Sequence, residues 1–537
     1  MRKLREVRRV VIFNHCGGRI LAWGEGGGHA GRRIARLPFG IKSWRRNGYA
    51  GLEAHPPQTT EFEAPLPPHD AIIIGSGPNG LAAAITLARA GKSVLVLERN
   101  ATVGGSARSA ALTLPGFTHD VCSTVQAMAG SSPFFQPLPL LENGLRLVCP
   151  ATPFAHPLDD GAAAVCERSI DATAAALGGD GESYRRLMQG IFTDWPRLIP
   201  MVLGPIRVPT HPLVLARFGL AGMQSACALA DRHFRGPHAR ALFAGAAAHS
   251  MLPLHQIGTA AFGLLLIGSA HAGGWPVARG GSQKLADALA AYLQSLGGEI
   301  RLNTEVKNMD DLPPARATLW DITPRQFLAV AGHRLTPRYT RTLRRFAYGP
   351  GVFKLDWALR EPIPWRAEVC RRAGTLHVGG TLEEIAAAEA ASWRHEHAEK
   401  PFVLLVQPTV FDASRAPAGR HTAWAYCHVP NGSTLDMTQR MEDQVERFAP
   451  GFRDIILARN AMNCEIMEAH NPNIVGGDIN GGAQTMRQTI FRPTLFPSPY
   501  ATSLKGTYLC SASTPPGGGV HGMCGYHAAK AALRRWR

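Results

Sequence analysis

The stretch that most narrows the folding options of this chain is Ala71-Ile72-Ile73-Ile74-Gly75-Ser76-Gly77-Pro78-Asn79-Gly80. Ile72–Ile74 is a short apolar run suited to a strand buried on both faces of a parallel sheet. Gly75, Gly77 and Gly80 have GxGxxG spacing. In such a motif the first glycine permits a tight turn, the second lets backbone approach a pyrophosphate, and the third lets helix pack on strand. Leu81, Ala84, Ile85 and Ala88 then share a helical face, and Gly91 ends the helix. Val94–Leu97 reads as a second buried strand. It delivers Glu98, about 23 residues after Gly75, where an acid meets ribose hydroxyls. Strand, glycine turn, helix, strand and acid in register predict a dinucleotide site that includes Ser76, Pro78, Asn79 and Arg99.

A second glycine pair, Gly104-Gly105, follows the acid, with Ser106 and Arg108 just beyond. Bare backbone N–H groups and one more positive charge suit phosphate. Pro115–Asp120 is predicted to form a turn and strand near those phosphates. Gly273–Ser282 is another glycine-rich turn, with Ser282 placed to cap the next helix. That helix carries Leu285, Ala288, Leu289, Tyr292, Leu293 and Leu296, and stops at Gly297-Gly298. Glu299–Leu302 and Glu305-Val306 are strand-like. Near the C-terminus, Gly506–Gly522 reads as a strand running into a glycine-rich loop, Gly517-Gly518-Gly519-Val520, ahead of a helix from Tyr526 to Leu533. Glycines before a helix leave N–H groups free to face an anion or a polar ring edge.

Between these parts the pattern changes. Residues 151–272 are rich in Ala, Leu, Pro and His. Helices are expected at Ile170–Leu177, Tyr184–Leu198, Leu213–His233 and His238–His249. The apolar, proline-broken Leu198–Pro205 suits ordinary helix packing, a cap over an apolar channel, or contact with lipid. Strands are expected at Val352–Trp357, Leu376–Gly379, Phe402–Gln407 and Thr422–His428, with helices at Glu383–Trp393 and Thr438–Phe448. Asp356 lies among apolar neighbours, which suits a paired structural carboxylate. The expected fold is α/β: a Rossmann-type domain with a parallel sheet (67–150, 273–325 and 491–537), interleaved with an α+β substrate domain (326–490) containing an antiparallel sheet and a helical cap (151–272).

Of the net charge of +17, about half falls before residue 61, where twelve basic residues face three acids. The high charge is therefore a poor argument for nucleic acid, and no nucleic-acid partner is expected. Three readings of residues 1–66 stay open: a disordered extension, an Arg-rich transit peptide implying mitochondria, or a polybasic arm. The ten cysteines include no CxxC, and the many histidines include no HxxxH or HExxH. No metal site is expected, and reduced thiols suit a cytoplasmic protein. No run of about 18 apolar residues predicts a spanning helix.

The Gly-Gly segment after the ribose acid resembles the FAD-binding flavoproteins of the carotenoid and retinoid oxidoreductase family, which includes phytoene desaturases. So do Gly351-Val352-Phe353-Lys354-Leu355-Asp356-Trp357, Asn471-Pro472-Asn473-Ile474-Val475-Gly476-Gly477-Asp478-Ile479, and the run from Ser511 to Tyr526. The resemblance covers about residues 68–537. It implies FAD as the cofactor, Val306 as a backbone contact to adenine, and Gly518, Gly519 and Val520 along the ribityl chain and isoalloxazine. Phytoene desaturases commonly have Arg directly after the Gly-Gly. Here Ser106 stands in that place, which weakens transfer of a carotenoid substrate.

The expected activity is hydride transfer between an apolar substrate (polyene, isoprenoid or lipid-like) and flavin N5, with peripheral membrane contact as an accompanying expectation. The alternatives are an amine-oxidase-like enzyme, which needs an aromatic pair beside the flavin, and a flavin-bound regulatory protein using Gly476–Ile479 as an exposed docking loop. No catalytic residue is assigned. His521 and His527 fall near the flavin loop, where ring packing is the expected role. Substrate, electron acceptor and oligomeric state stay open.

Overall fold

In the computed structural model, residues 69–494 and 498–536 are described. The readings of residues 1–66 lie outside them. The glycine motif sits in a βαβ unit: β1 (His69–Ile74), α1 (Pro78–Ala88) and β2 (Val94–Leu97). Every residue from Asn79 to Ala88 is buried. The small Ala-rich surface of α1 lets the C-terminal helix Met523–Arg535 approach so closely that a Cβ on Gly525 would lie 1.7 Å from the Asn79 carbonyl oxygen.

Five parallel strands form the first sheet, in the order Thr507–Leu509, Ala315–Trp320, β1, β2, Glu299–Arg301. The chain leaves β1 toward β2 on one side, and later returns to pair Ala315–Trp320 on the other. This reversal makes a crevice beyond the carboxyl ends of β1 and Ala315–Trp320, where open α/β sheets bind ligands. The parallel sheet agrees with the expected Rossmann-type architecture.

A seven-stranded sheet follows the order Ile456–Met462, Gly351–Leu359, His421–Val429, Val403–Val406, Ala373–Val378, Thr152–Pro157, Ala163–Cys166. All its pairs are antiparallel except Ala373–Val378 with Thr152–Pro157. Both faces are buried except along the edge strand Ile456–Met462, which is exposed or half-buried up to Met462. Phe353, Leu355, Trp357, Leu405, Ala425 and Cys427 form one apolar cluster with Met441, Val445 and Phe448 of the helix Thr438–Phe448. Period-two alternation turns Leu404, Val406, Trp424, Tyr426 and His428 to the opposite face.

Several local expectations are corrected. The 151–272 region opens with two strands of this sheet, hidden in sequence by Pro, Ala and His in place of β-branched residues. The predicted helix Leu213–His233 is two helices, Pro212–Gly222 and Ala226–His233, bent by 91°. Ser225 starts the second by accepting from the Ala228 N–H at 3.1 Å. Glu305-Val306 is loop, not strand. Ser282 does not cap its helix through its side chain; its hydroxyl donates to the Ser123 carbonyl and its N–H to Asp120. Among the described residues, no single helix is long and apolar enough to cross a membrane.

A buried ionic clasp joins distant segments. Arg415 donates to Asp120 at 2.9 Å and to Asp412 at 3.0 Å, with all three side chains out of solvent. Asp412 also accepts from Gly280 N–H, and Asp120 from Ser109, Thr124 and Ser282. Burial opposes ionisation of Asp120, but Arg415 and the surrounding donors outweigh it and hold its carboxyl below the usual range. Asp356 likewise takes the structural role expected of it. Lys354 Nζ lies 2.5 Å from both carboxylate oxygens in a fully buried pair.

Candidate functional site

The glycine turn works by backbone geometry. Gly75 has φ +93, where L side chains strain. A Cβ on Gly80 would lie 2.1 Å from the Gly75 carbonyl oxygen, and one on Gly77 would lie 2.6 Å from an Asp321 carboxyl oxygen. Gly105, with φ +56, packs over Gly77, where its Cβ would be 3.1 Å from the Gly77 Cα. The Gly104 N–H donates to the Ser76 carbonyl at 3.0 Å, tying the second glycine pair to the first.

Glu98 sits buried at the tip of β2. One carboxylate oxygen accepts from the Ser76 N–H (2.9 Å) and hydroxyl (2.7 Å), and the other from the Asn100 N–H (2.9 Å) and side-chain amide (2.7 Å). The carboxylate is thus fixed by the chain itself. Asp321, at the end of Ala315–Trp320, was missed by sequence reasoning. Its carboxylate accepts from the Gly80 N–H at 2.8 Å, capping α1 from another strand. Removal from bulk water pushes its carboxyl up to about 7; the Gly80 N–H opposes this and Glu98 adds to it. An acid directly after a buried strand, in Trp320-Asp321-Ile322-Thr323-Pro324, was the available signal.

One cavity of about 460 Å³ runs from this cradle into the space beneath the second sheet. Its walls include Gly75, Ser76, Gly77, Pro78, Asn79, Glu98, Arg99, Gly105, Ser106, Val306, Gly519 and Val520. Gly80, Gly104, Arg108 and Gly518 stand outside the wall. Arg108 does not reach the cavity: its guanidinium donates to the Gly105 carbonyl at 2.8 Å and meets His470 Nε2 at 2.8 Å. It braces the glycine pair instead of offering charge. Gly518 faces Asn480, whose Oδ1 would be 2.9 Å from a Cβ there. His521 and His527 are likewise absent from the wall. His521 Nδ1 accepts from the Met523 N–H, and His527 stacks on Tyr500. Gly476–Ile479 is no exposed loop: Gly477 and Asp478 are buried, and Asp478 accepts from the N–H groups of Gly349, Asn480 and Gly482.

Beyond the cradle, Met128, Leu266, Trp275, Leu404, Val406, Trp424 and Tyr426 line a mainly apolar chamber. Alternate positions of separate strands supply much of it, which is why no contiguous motif announces it. The carboxylates of the cavity wall, Glu98, Glu305, Asp321 and Asp478, come from other segments, and none comes from the chamber strands. Trp424 and Tyr426 are stacked, 5.7 Å between centroids and 25° apart in plane. They pack on each other instead of flanking a gap.

The residues fit a flavin dinucleotide. The cradle is bare at positions a Cβ would fill, and Glu98 stands in its wall at the tip of β2. Cavity-wall side chains with buried polar atoms that lack a partner include Asn79 (Oδ1), Gln126 (both Oε1 and Nε2) and Trp424 (Nε1). A paired acceptor and donor on Gln126 matches a ring edge that alternates carbonyl and N–H groups.

Comparison with known proteins agrees with this. Residues 73–136 match the family described as an NAD(P)-binding Rossmann-like domain. The chain is 24% identical to the rat pyridine nucleotide-disulfide oxidoreductase domain-containing protein 2, over 87% of this chain and 94% of that protein. It is 26% identical to the neurosporene-forming phytoene desaturase of Rhodobacter capsulatus, over 85% of this chain and 92% of the relative. Among solved structures, an oxidoreductase from Methanosarcina mazei superposes with a TM-score of 0.59 at 15% identity, covering 86% of this chain and 99% of that one. Putrescine oxidase bound to putrescine superposes at 0.55 and 16%, covering 87% and 99%. These findings bear out the resemblance to phytoene desaturase-like flavoproteins. Together with the glycine cradle they support an oxidoreductase of the FAD type.

Proposed function

We propose that this protein is an FAD-dependent oxidoreductase acting on an apolar, uncharged substrate. One observation carries the reading: a single cavity joins a glycine-lined dinucleotide cradle to an apolar chamber whose strands bring no carboxylate. Gly75–Asn79, Glu98, Gly105, Ser106, Val306, Gly519 and Val520 would hold the dinucleotide. Bound there, FAD supplies the capacity to exchange a hydride with a substrate carbon. The chain's part is to orient the substrate along Leu404, Val406 and Trp424 and to exclude water.

An amine-oxidase-like reaction is the second reading, favoured by the fold; the stacked Trp424–Tyr426 pair does not supply the gap between aromatics that it needs. It is the weaker one, because a protonated amine would enter the chamber without a counter-charge from its strands, and burying an unpaired cation is costly. Peripheral membrane contact is proposed at the helix Pro212–Gly222 and the turn before it. Ile206, Val208, Leu213 and Leu220 are each more than 70% exposed there, with Arg207 beside them for an anionic headgroup and Arg217 paired to Asp194 at 2.8 Å.

The test is anaerobic mixing of FAD-loaded protein with phytoene and, separately, with putrescine. Bleaching of the flavin band by phytoene alone supports the proposal. Bleaching by putrescine alone replaces it with the amine reading, and bleaching by neither favours a binding protein with little turnover.

A further inference from the structure

A second cavity, a groove of about 310 Å³, lies beside the chamber. Three segments wall it: Phe218 and Gly219 on the helix Pro212–Gly222, Phe262 on the helix Thr259–Ala272, and Gln484, Met486 and Thr489 further on. Two of these segments also wall the chamber. Along Thr259–Ala272, Phe262 lines the groove and Leu266, one turn later, lines the chamber, a rise of about 6 Å. Ala261, Phe262, Leu265 and Leu266 are only half-buried, whereas Ala260, Gly263, Leu264 and Ile267 are sealed. One face of this helix therefore looks onto open space past both cavities. On the other shared wall, Gly481 lines the chamber and Gln484 the groove. Arg492 pins the backbone there, donating to the Asn480 carbonyl at 3.0 Å and to that of Gly481 at 3.2 Å. The partition between groove and chamber is thus made of side chains on fixed main chain.

The chemistry of the groove narrows its occupant. No charged side chain lines it. A peptide laid there would bury backbone N–H and C=O groups without partners, whereas a hydrocarbon chain brings none. Around the mouth Leu220, Met223, Ile257 and Ile490 are exposed, continuous with the apolar patch of Pro212–Gly222. Arg207 and Arg487 are exposed beside them. The stretches that carry the wall, 195–230, 232–286 and 479–537, contain no Asp or Glu, so they bring no repulsion against an anionic lipid surface.

We infer, on the apolar-substrate reading above, that the groove takes the hydrocarbon chain of a substrate longer than the chamber. The chain passes from a bilayer between Phe218 and Met486, and then past Phe262 and Leu266, to reach the chamber. Groove and chamber act as one binding site in two compartments, and the first selects for chain length.

The experiment uses the full FAD-loaded chain. A Cβ on Gly219 meets nothing within 4 Å, so Gly219→Phe fills the groove without a clash at the helix. Thr489→Phe fills it from another wall and serves if the first variant does not fold. Phytoene is supplied in phosphatidylcholine–phosphatidylglycerol vesicles, and flavin reduction is followed without oxygen. Either variant should need about 10-fold more phytoene for the half-maximal rate, the scale of an altered apolar pocket. Diphenylhexatriene, an uncharged rod-shaped polyene that emits in apolar surroundings, should bind the wild type saturably and each variant about 10-fold more weakly. Flavin content and cosedimentation with the vesicles should stay at the wild-type level, because cradle and exposed patch are intact. Wild-type phytoene dependence in a folded variant overturns the inference and leaves the proposed function standing. If that variant also loses cosedimentation, the groove seats the chain of a membrane lipid instead. If phytoene fails to reduce the wild-type flavin, the proposed function falls. The groove is then judged by diphenylhexatriene, and equal binding to wild type and variants overturns it.

Discussion

The two ends of the cavity are built by different means. At the cradle, backbone does the work: Gly75, Gly77, Gly80 and Gly105 bring main chain together at separations that exclude a Cβ. At the chamber, side chains do it: Leu404, Val406, Trp424 and Tyr426 project from one sheet face. Backbone sites tolerate almost no substitution, because the shape is the chain itself. Side-chain sites can be reshaped one residue at a time, as the strands that carry them are fixed by pairing on both edges. The ends also answer to pH with opposite sign. Asp321 at the cradle is held up to about 7, whereas His249 beside the chamber is held down to about 3.

Four experiments probe that contrast. The largest effect is expected where the segments behind both ends are clasped. Arg415→Leu leaves Asp120 and Asp412 buried and uncompensated, and should cost about 3–5 kcal/mol in denaturant unfolding. A loss under about 1 kcal/mol would show that the clasp does not hold the molecule together.

Next is the cradle. Gly80→Ala drives a methyl group into the Gly75 carbonyl and should cost up to about 3 kcal/mol, with loss of bound FAD, read by calorimetry and flavin absorbance. Flavin retained at wild-type affinity would mean that the turn is not the dinucleotide site.

The third concerns pH. An acid whose folded pKa is raised binds more protons folded than unfolded, so stability falls as pH rises from about 4 through about 7. Asp321→Asn should therefore gain on the wild type above pH 7, by about 1–2 kcal/mol. Its FAD affinity should no longer weaken as the carboxylate ionises beside the phosphates. Histidines held low act in reverse: the unfolded chain binds more protons, so stability falls as pH drops from about 6.5 toward 4. His249→Gln should make that acid limb shallower, since His119, His156, His470, His521 and His527 are held low as well, and should leave the neutral limb alone. Melting curves from pH 4 to 8 read both, and a shared limb would contradict the assignment.

The smallest effect on stability is expected in the chamber. Trp424→Phe removes an indole N–H that has no partner and should change stability by under about 1 kcal/mol. Flavin content should hold, while affinity for apolar substrates shifts about 10-fold, the scale of an altered apolar pocket. Lost flavin with unchanged substrate binding would reverse the roles assigned to the two ends.

The contrast also explains what could be seen before the structure. A backbone site needs its glycines close in order, so β1, α1, β2, Glu98 and the cradle were legible as a contiguous motif. The chamber needs a face, and its residues are separated by the turns between strands. Trp424 and Tyr426 read only as part of a strand until pairing aligned them with Leu404 and Val406. The strands Thr152–Pro157 and Ala163–Cys166 escaped notice because Pro, Ala and His carry little strand signal when packing is supplied by neighbours. Arg108 was misplaced for a related reason: its neighbour His470 is 362 residues away, and proximity in order suggested phosphate instead. Asp321 was invisible because its role depends on which strand pairs with β1.

Everything proposed for the cavity depends on a flavin dinucleotide binding at the cradle. The most direct measurement is a titration of colourless protein with FAD, followed by the flavin difference spectrum, on the wild type and Gly80→Ala side by side. Saturable binding of one FAD per chain is expected in the wild type, and none in the variant when both are folded. A folded wild type that takes up no FAD, or a variant that binds it equally well, would show that the glycine turn is not a flavin site.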